Sequence, residues 1–470
     1  MPRTVIWLLA ATGAVAALAG LPLSGAGAQT SQSWPTYLGN GARTGHDSTE
    51  TAITPATAPN LTQRWDDNTV LSISAEPALV NGVVYVGAWD GNERAVSAAT
   101  GTQLWSTNLG QTSANCPNPM TVGVASTATV HTITVNGTAT QAVFVAGGDG
   151  NFYALNASTG AVIWKTKLGT PPATFLWSSP LFYKGSIYEG IASLGDCPLV
   201  RGGVVRMNAA TGTVQNTLYT MPAGCVGAGV WGSPTLDAAT GDFYFVTGNP
   251  GGPATGGSCS KPAPLALAVV KASSSLKLLS SWQVPAGQLN NKDSDFGSTP
   301  TLFQATIGGV VHQMVGVQNK NGLYYAFDRS AISSGPLWHQ RMAAAGVCPS
   351  CGQGDISPSA YDGQHLFVGS GTTTIKGVSC AGSIRALGLA TGKTVWAHCL
   401  PAAVLGAVTA VPGVAFFGAG NTAYAVSTST GAILWSHQGA SGSAFWGAPS
   451  ISNGQVYFGN MDGNLYAFGT

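Results

Sequence analysis

The sequence predicts an all-β protein, an eight-bladed β-propeller of four-stranded antiparallel blades. Two observations carry this prediction: a strand-rich repeat recurs along the chain, and the last copy of that repeat stops one strand short. Composition agrees, because 64 of the 470 residues are glycine and few are Glu or Lys. Such a composition favours many short strands joined by tight turns over helices.

The repeat reads strand, tight turn, strand, Thr-Gly turn, and a strand that ends in tryptophan. Clear copies run from Val83 to Trp105, from Ala142 to Trp164 and from Val414 to Trp435. Asp-Gly and Asn-Gly pairs between the strands supply the positive-φ residues that two-residue hairpin turns require. Because neighbouring repeats bury apolar surface against each other, we interpret the repeated tryptophan as a packing residue between adjacent sheets. Further copies end at Leu218, Trp282, Trp338 and Trp396.

The last repeat lacks a fourth strand, and a single unpaired strand stands near the start of the chain. The final copy stops at Tyr466-Ala467-Phe468 with no Trp-bearing fourth strand after it. Leu61 to Trp65 resembles a fourth strand that no first three strands precede. Pairing the N-terminal strand with the C-terminal blade would complete the eighth blade and remove two exposed sheet edges. We therefore expect the ring to close in this way.

The first 28 residues have the order of a secretory signal peptide. A basic start is followed by an apolar run from Val5 to Leu23, and Ala26-Gly27-Ala28 offers a cleavage site. A membrane anchor would need about 20 apolar residues with a charged flank, whereas Gly, Ser, Thr and Gln follow here. We expect a secreted or periplasmic protein that does not span the membrane. The expected division is a signal peptide over 1–28, an N-terminal extension over 29–59 and the propeller over 60–470.

Charge excludes one class of partner. Only 8% of the residues are charged and the net charge is +1. Nucleic-acid binding depends on a concentrated basic field that releases counterions from the phosphate backbone. No nucleic-acid partner is therefore expected.

Eight cysteines in an exported protein predict disulfides, because compartments outside the cytoplasm are oxidising. By the strand assignment all eight lie on one face of the ring, in loops between strands two and three or at and after strand four. These long loops mark either a binding face or loops that need stabilisation. Spacing leaves the connectivity open, and we expect the pairs Cys225–Cys259 and Cys351–Cys380. The eight are Cys116, Cys197, Cys225, Cys259, Cys348, Cys351, Cys380 and Cys399.

Cys348-Pro-Ser-Cys351 has two other interpretations. Covalent haem attachment needs a histidine after the second cysteine, and Gly352 stands there. A zinc site needs a second pair of ligands at suitable spacing, which the sequence does not offer. Disulfide formation is the remaining prediction, and no haem is expected.

The recurrent Ala-Thr-Gly-x-x-x-Trp ending resembles the repeats of the pyrroloquinoline quinone (PQQ) propellers, over essentially the whole chain after the signal peptide. A narrower similarity, to quinoprotein alcohol dehydrogenases and polyvinyl-alcohol-type dehydrogenases, rests on the third to fifth blades. That similarity implies PQQ, a calcium ion and oxidation of an alcohol or polyol. Electrons would leave to a separate acceptor, because the chain has no haem-binding segment.

The resemblance implies a calcium site and a catalytic base. Asp196, in Leu194 to Gly202, resembles the acidic calcium-ligand loop of the family, and Glu189 is a less favoured substitute. Asn249 in Thr247-Gly248-Asn249-Pro250 matches a calcium-ligand asparagine. Asp293 and Asp295 lie where the family has its catalytic aspartate and are also candidate metal ligands. Which of the two acts as base is open, and both could instead cap a turn.

The resemblance also implies residues that hold the quinone. Trp231 in Trp231-Gly232-Ser233-Pro234 resembles the segment whose tryptophan stacks beneath the quinone. Lys320 matches a basic residue that contacts the quinone oxygens, and Arg201, which ends the acidic loop, is a third candidate. The adjacent-cysteine ring that the family places over the quinone is missing here, since no two cysteines are neighbours.

Two functions from different classes follow. The first is a PQQ- and calcium-dependent dehydrogenase whose small-molecule substrate is an alcohol or polyol. The alternative is a non-catalytic propeller that binds a protein or polysaccharide through its cysteine-rich loop face, as outer-membrane assembly propellers of similar repeat do. A hydrolase is not favoured, because no Gly-x-Ser-x-Gly nucleophile elbow is present.

Overall fold

The computed structural model describes Met1 and residues 33–69, 71–115, 119–251, 259, 261–289 and 293–470. The predicted signal peptide therefore lies, apart from Met1, outside the described residues. In the described part, eight four-stranded antiparallel sheets form the blades of a propeller. The predicted fold class is confirmed.

Each blade runs from a buried first strand near the axis to an exposed fourth strand at the rim. Blade 1 comprises Ala78–Val80, Val83–Gly87, Asn92–Ser97 and Gln103–Asn108; blade 2, Thr129–Val135, Thr138–Ala146, Asn151–Asn156 and Val162–Lys167; blade 3, Leu181–Tyr183, Ser186–Ser193, Gly203–Asn208 and Val214–Tyr219; blade 4, Thr235–Asp237, Asp242–Val246, Ala268–Ala272 and Leu278–Gln283.

The second half of the ring repeats the pattern. Blade 5 comprises Thr301–Ile307, Val310–Gln318, Leu323–Asp328 and Trp338–Arg341; blade 6, Ala360–Tyr361, His365–Ser370, Gly382–Gly388 and Thr394–Leu400; blade 7, Thr409–Val411, Val414–Ala419, Thr422–Ser427 and Ile433–Gln438; blade 8, Ser450–Ser452, Gln455–Gly459, Asn464–Gly469 and the early strand Thr62–Asn68.

The ring closes as predicted. Strand Thr62–Asn68 pairs antiparallel with Asn464–Gly469, and Trp65 lies opposite Ala467. The last three strands of the chain thus receive their fourth strand from its beginning. No open sheet edge is left at this seam, which is the physical reason for such a closure.

The repeated tryptophan docks each blade on the next. Trp105 packs on Gly160 of blade 2, where a Cβ would lie 2.6 Å from the indole, and its Nε1 donates to the Ala157 carbonyl at 2.9 Å. Trp65 makes the same contacts with Gly101 and Ala98 of blade 1. Only glycine fits beneath the ring, and its positive φ completes the turn. The Thr-Gly and Trp elements of the repeat are therefore two halves of one inter-blade contact.

The N-terminal extension packs against the inner strands at the centre of the ring. Backbone bonds join it to the first strands of several blades, including Trp34 with Leu79 of blade 1 and Gly45 with Ala410 of blade 7. These bonds satisfy inner strand edges that would otherwise lack partners. Arg43 is fully buried there, and its guanidinium donates to the carbonyls of Pro180 and Pro234.

One face of the ring carries the additional elements. Two small hairpins, Thr112–Ala114 with Met120–Val122 and Thr373–Ile375 with Val378–Cys380, lie in loops of that face, and the short strand Thr174–Phe175 pairs with the end of a blade 3 strand. The helical segments of the described residues are short 3-10 turns, and none of the helices there could span a membrane. The turns are Ala58–Asn60, Ala286–Gln288, Ile332–Ser334 and Pro349–Cys351.

Disulfides confirm one predicted pair and correct the other. Cys225 is bonded to Cys259 as predicted. The pair Cys351–Cys380 is wrong, because Cys351 is bonded to Cys348 and Cys380 to Cys399. The Pro349–Cys351 turn brings the first two sulfurs together, and Cys399 lies opposite Ser383, close to the end of the hairpin that carries Cys380.

Two cysteines remain. Cys197 is disulfide-bonded, and Cys116 lies outside the described residues. None of the described cysteines is free.

Candidate active site

A cavity of about 240 Å³ opens on the loop-bearing face at blades 3 to 5. Five residues singled out in the sequence line it, although up to 124 positions separate them along the chain. They come from loops and strand ends of three consecutive blades that share this face. The five are Asp196, Trp231, Asn249, Asp295 and Lys320.

Lys320 connects the polar and aromatic parts of the cavity. Its Nζ donates to Asp293 Oδ2 at 2.7 Å and lies 3.5 Å from Asp295 Oδ2. The same ammonium lies 5.0 Å from the centre of the Trp231 ring, within the range of a cation–π contact. Burial lowers the pKa of Lys320, but the carboxylates of Asp295 and Asp293 raise it on balance. Lys320 is therefore a cation held beside an aromatic face.

The two aspartates have different environments. Asp295 lines the cavity, is 5% exposed and accepts a hydrogen bond from the backbone N–H of Asn249. Burial raises its pKa to about 7, and the negative charges of Asp293 and Asp196 add to the rise while Lys320 opposes it. A carboxyl with this pKa can take up and release a proton near neutral pH.

Asp293 does not line the cavity but stabilises the residues that do. Its Oδ1 accepts from the backbone N–H of Asp295 at 3.0 Å, the turn-capping contact that the structural alternative predicts. The same oxygen accepts from Asn249 Nδ2 at 3.0 Å. With its contact to Lys320, Asp293 thus connects three of the cavity-lining residues.

Asp196 and Asn249 bring oxygen atoms to the cavity. Because Asn249 Nδ2 is bonded to Asp293, its Oδ1 is the amide atom available to a cation. Asp196 is exposed at the cavity edge, yet the surrounding protein raises its pKa, with Asp293 adding to the effect and Lys320 reducing it. Within the described ranges, no three His, Cys, Asp or Glu side chains are grouped closely enough to hold a metal by themselves.

Two glycines let the site pack tightly. A Cβ on Gly297 would lie 2.1 Å from Cη2 of Trp231, and a Cβ on Gly248 would lie 3.0 Å from Asp295 Oδ1. Gly248 precedes Asn249, and Gly297 follows Asp295 by two positions. The glycines of both motifs are thus needed so that the indole and the carboxylate can approach the backbone.

Two residues that the sequence suggested as quinone or calcium ligands do not line the cavity. Arg201 donates from Nε to the Met221 carbonyl at 2.7 Å, and its guanidinium lies 3.9 Å from the centre of the Tyr219 ring. Glu189 is fully buried and accepts a hydrogen bond from Ser178. Neither is among the residues that line the cavity, so Asp196 rather than Glu189 is the acidic residue there.

Sequence reasoning missed Trp177, which lines the same cavity. A signal was present, because Trp177-Ser178-Ser179-Pro180 parallels Trp231-Gly232-Ser233-Pro234 one blade further on. Each tryptophan stands four positions before the first strand of its blade.

Comparison with known proteins agrees with the fold. The chain matches the model of the PQQ_2 family, described as outer membrane protein assembly factor BamB, over residues 49–173, 90–256 and 320–470. A polyvinylalcohol dehydrogenase of a Pseudomonas species is 26% identical over 468 residues, covering 86% of this chain and 69% of the relative.

Solved structures share the architecture. Quinohemoprotein alcohol dehydrogenase from Comamonas testosteroni aligns with a TM-score of 0.73 and 18% identity, over 93% of this chain and 80% of the other. A europium-containing methanol dehydrogenase aligns with a TM-score of 0.73 and 17% identity, over 93% of this chain and 98% of the other. At such identities the likeness establishes the fold. Because the family matches together span well over half of the sequence, the chain belongs to the PQQ_2 family of repeat propellers.

Proposed function

We propose that this protein is a PQQ- and calcium-dependent dehydrogenase that oxidises an alcohol or polyol outside the cytoplasm. One observation carries the proposal: a single cavity joins an ammonium, an aromatic face and a carboxyl with a pKa of about 7, in Lys320, Trp231 and Asp295. The similarity to a polyvinylalcohol dehydrogenase supports the same substrate class.

The residues present fit a planar, anionic quinone. The half-buried face of Trp231 offers a stacking surface, and Lys320 supplies a positive charge within 5.0 Å of that ring. When bound, PQQ would supply the acceptor for the electrons of the alcohol, and calcium would supply Lewis-acid catalysis. Trp231 would orient the quinone ring, and Lys320 would bind its oxygens.

Calcium fits the oxygen donors on the blade 3 and blade 4 side of the cavity. Hard cations prefer carboxylate and amide oxygens, which Asp196 and Asn249 supply. Asp293 and Asp295 are already neighbours of the Lys320 ammonium. We therefore assign Asp196 and Asn249 as the principal protein ligands.

The arrangement also distinguishes the two aspartates. Asp295 faces the cavity and has the pKa of a general base at neutral pH. We assign it the removal of the alcohol proton. Asp293 holds Lys320 and Asn249 in place and is a positioning residue.

The substrate is an alcohol or polyol, and the electrons go to a separate acceptor without a haem in this chain. Export follows from the signal-like residues 1–28. Arg201, the third quinone-binding candidate from the sequence, is not among the residues that line the cavity, and we assign it no role.

The test is reconstitution of the purified protein with PQQ and calcium, followed by dye reduction with simple alcohols, polyols and polyvinyl alcohol. Asp295→Asn should lower kcat by about 10²–10⁴-fold, the usual contribution of a general base. Asp293→Asn should weaken PQQ binding more than it lowers kcat. Asp66→Asn, at an exposed position on the rim strand Thr62–Asn68, is the control. No dye reduction and no change in the quinone spectrum would contradict the proposal.

A second candidate is a scaffold that binds a protein or polysaccharide through the loop face. The description of the matching family as an outer membrane assembly factor favours it. A partner captured by the intact protein, lost on shortening the Thr373–Cys380 hairpin and retained in Asp295→Asn, would support this function over the enzymatic one.

A further inference from the structure

Three tryptophans occupy one register around the axis. Trp177, Trp231 and Trp446 each stand four positions before the first strand of their blade, and a proline follows each three positions later. All three line an axial channel of about 140 Å³. Trp177 and Trp231 line the candidate active-site cavity as well, whereas Trp446 does not. Two indoles therefore border both spaces, on adjacent blades.

Hydrogen bonds from backbone N–H groups to side-chain hydroxyls join the segments that follow Trp177 and Trp231. The Ser179 N–H donates to Ser233 Oγ at 2.8 Å, and the Ser233 N–H donates to Thr299 Oγ1 at 3.0 Å. Blades 3, 4 and 5 are joined by this belt of hydroxyl groups directly after the tryptophans. The position of Trp177 relative to Trp231 is thus fixed by the fold rather than by loop conformation.

The orientation of the Trp177 ring is also fixed. Its Nε1 donates to the Ser193 carbonyl at 3.0 Å, and its ring centre lies 4.4 Å from that of Phe175. Ser193 and Leu194, which follow on the same strand end, line the cavity beside it. The ring nevertheless stays partly exposed. An indole that is held in place but not covered is suited to contact a ligand.

Resting on the proposed function, we propose that Trp177 is a second cofactor-positioning residue. Together with Trp231 it forms a two-indole floor between the cavity and the axial channel, and the planar quinone lies on that floor. The chain lacks adjacent cysteines, so these indoles are the rigid flat surfaces that the cavity offers. Flat aromatic contacts favour a flat ligand by both burial and stacking.

The experiment measures PQQ affinity of the metal-loaded apoprotein by equilibrium dialysis, without turnover. Trp177→Ala should weaken binding about tenfold, which corresponds to one well-formed aromatic contact. Trp177→Phe should stay within about threefold of the wild type, since it keeps a flat ring. Trp446→Ala is the matched control, because Trp446 has the same register and lines the channel but not the cavity, and the affinity of this variant should not change.

A second readout separates a contact from a purely structural effect. The circular dichroism band of bound quinone should change in Trp177→Phe and stay constant in Trp446→Phe. Wild-type affinity in Trp177→Ala, or equal weakening in all Trp177 and Trp446 variants, would overturn the inference and leave the proposed function standing. Absence of PQQ binding by the wild-type protein would overturn the proposed function and the inference with it.

Discussion

The α-carbon of Gly297 faces the indole of Trp231 with no room for a side chain between them. A Cβ on Gly297 would lie 2.1 Å from Trp231 Cη2 and 2.7 Å from Ile356 Cγ2. Gly297 belongs to the segment that begins with Asp293 and Asp295. The backbone that carries the proposed base therefore also sets the position of the aromatic floor.

Gly297→Ala should displace Trp231 and weaken PQQ binding about tenfold or more, because overpacking at such a close contact forces the ring to move. Gly287→Ala is the matched control, since a Cβ there meets nothing within 4 Å. Dialysis gives the affinity, and thermal unfolding shows whether the fold is retained. Unchanged affinity in a folded Gly297→Ala would mean that Trp231 does not support the quinone.

Asp196→Asn should weaken calcium binding at least tenfold, because it removes a charged oxygen ligand from a hard cation. Isothermal titration with calcium, in the presence of PQQ, measures the effect. Asp66→Asn should leave calcium affinity unchanged, as this carboxylate is exposed on the rim. Equal calcium affinity in wild type and Asp196→Asn would remove Asp196 from the ligand set.

The Cys348–Cys351 disulfide lies just after Gly346, whose N–H donates to the Lys320 carbonyl at 3.1 Å. The double change Cys348→Ser with Cys351→Ser should weaken PQQ binding severalfold with little loss of stability, because only a short loop is released. Removing Cys380–Cys399 in the same way releases a longer loop and should cost more stability with less effect on affinity. Dialysis and denaturant unfolding compare the two variants, and the reverse ranking would refute this account.

Gly101→Ala should destabilise the ring closure, since a Cβ there would lie 2.8 Å from the Trp65 indole. Gly82→Ala in the same blade has a similar positive φ, 76° against 73°, but nothing within 4 Å of its Cβ. The difference between the two variants isolates the indole contact from backbone strain, and we expect about 1–3 kcal/mol. Denaturant unfolding provides the free energies. Equal losses would show that the indole contact is not limiting.

Glu93 is fully buried, and neither of its carboxyl oxygens has a hydrogen-bond partner among the described residues. Burial raises its pKa from 4.5 to about 8, an effect that Arg94 opposes. Between these two pH values the unfolded chain loses a proton that the folded chain keeps, so the stability of the wild type should fall as pH rises. The full difference is about 5 kcal/mol. Glu93→Gln cannot titrate and should show a flatter profile in unfolding experiments at pH 5 and pH 8; parallel profiles would contradict this.

Much of the architecture was predictable because its determinants are local and repeated. The Thr-Gly turn and the strand-ending tryptophan recur in blade after blade, and the missing fourth strand beside Tyr466 pointed to Trp65. The same regularity placed Asp196, Asn249, Asp295 and Lys320 on one face, since loops between equivalent strands of a propeller open on the same side. These residues meet in the cavity as expected.

Other features depend on three-dimensional neighbours that spacing does not encode. Cys351 is bonded to Cys348 because a three-residue turn brings their two sulfurs together. Arg201 follows the acidic loop in sequence, but its guanidinium turns toward Tyr219. The different environments of Asp293 and Asp295, two positions apart, arise because only Asp295 is buried at the cavity wall.

The sequence by itself determined the number of blades, their closure and the face that carries the candidate site, because strand period, turn residues and inter-blade packing are written into every repeat. Only the tertiary structure decided which side chains share the cavity, which aspartate faces it and that Trp177 lines it together with Trp231. Those outcomes depend on burial and on contacts between blades, and both come into being only when the ring has closed.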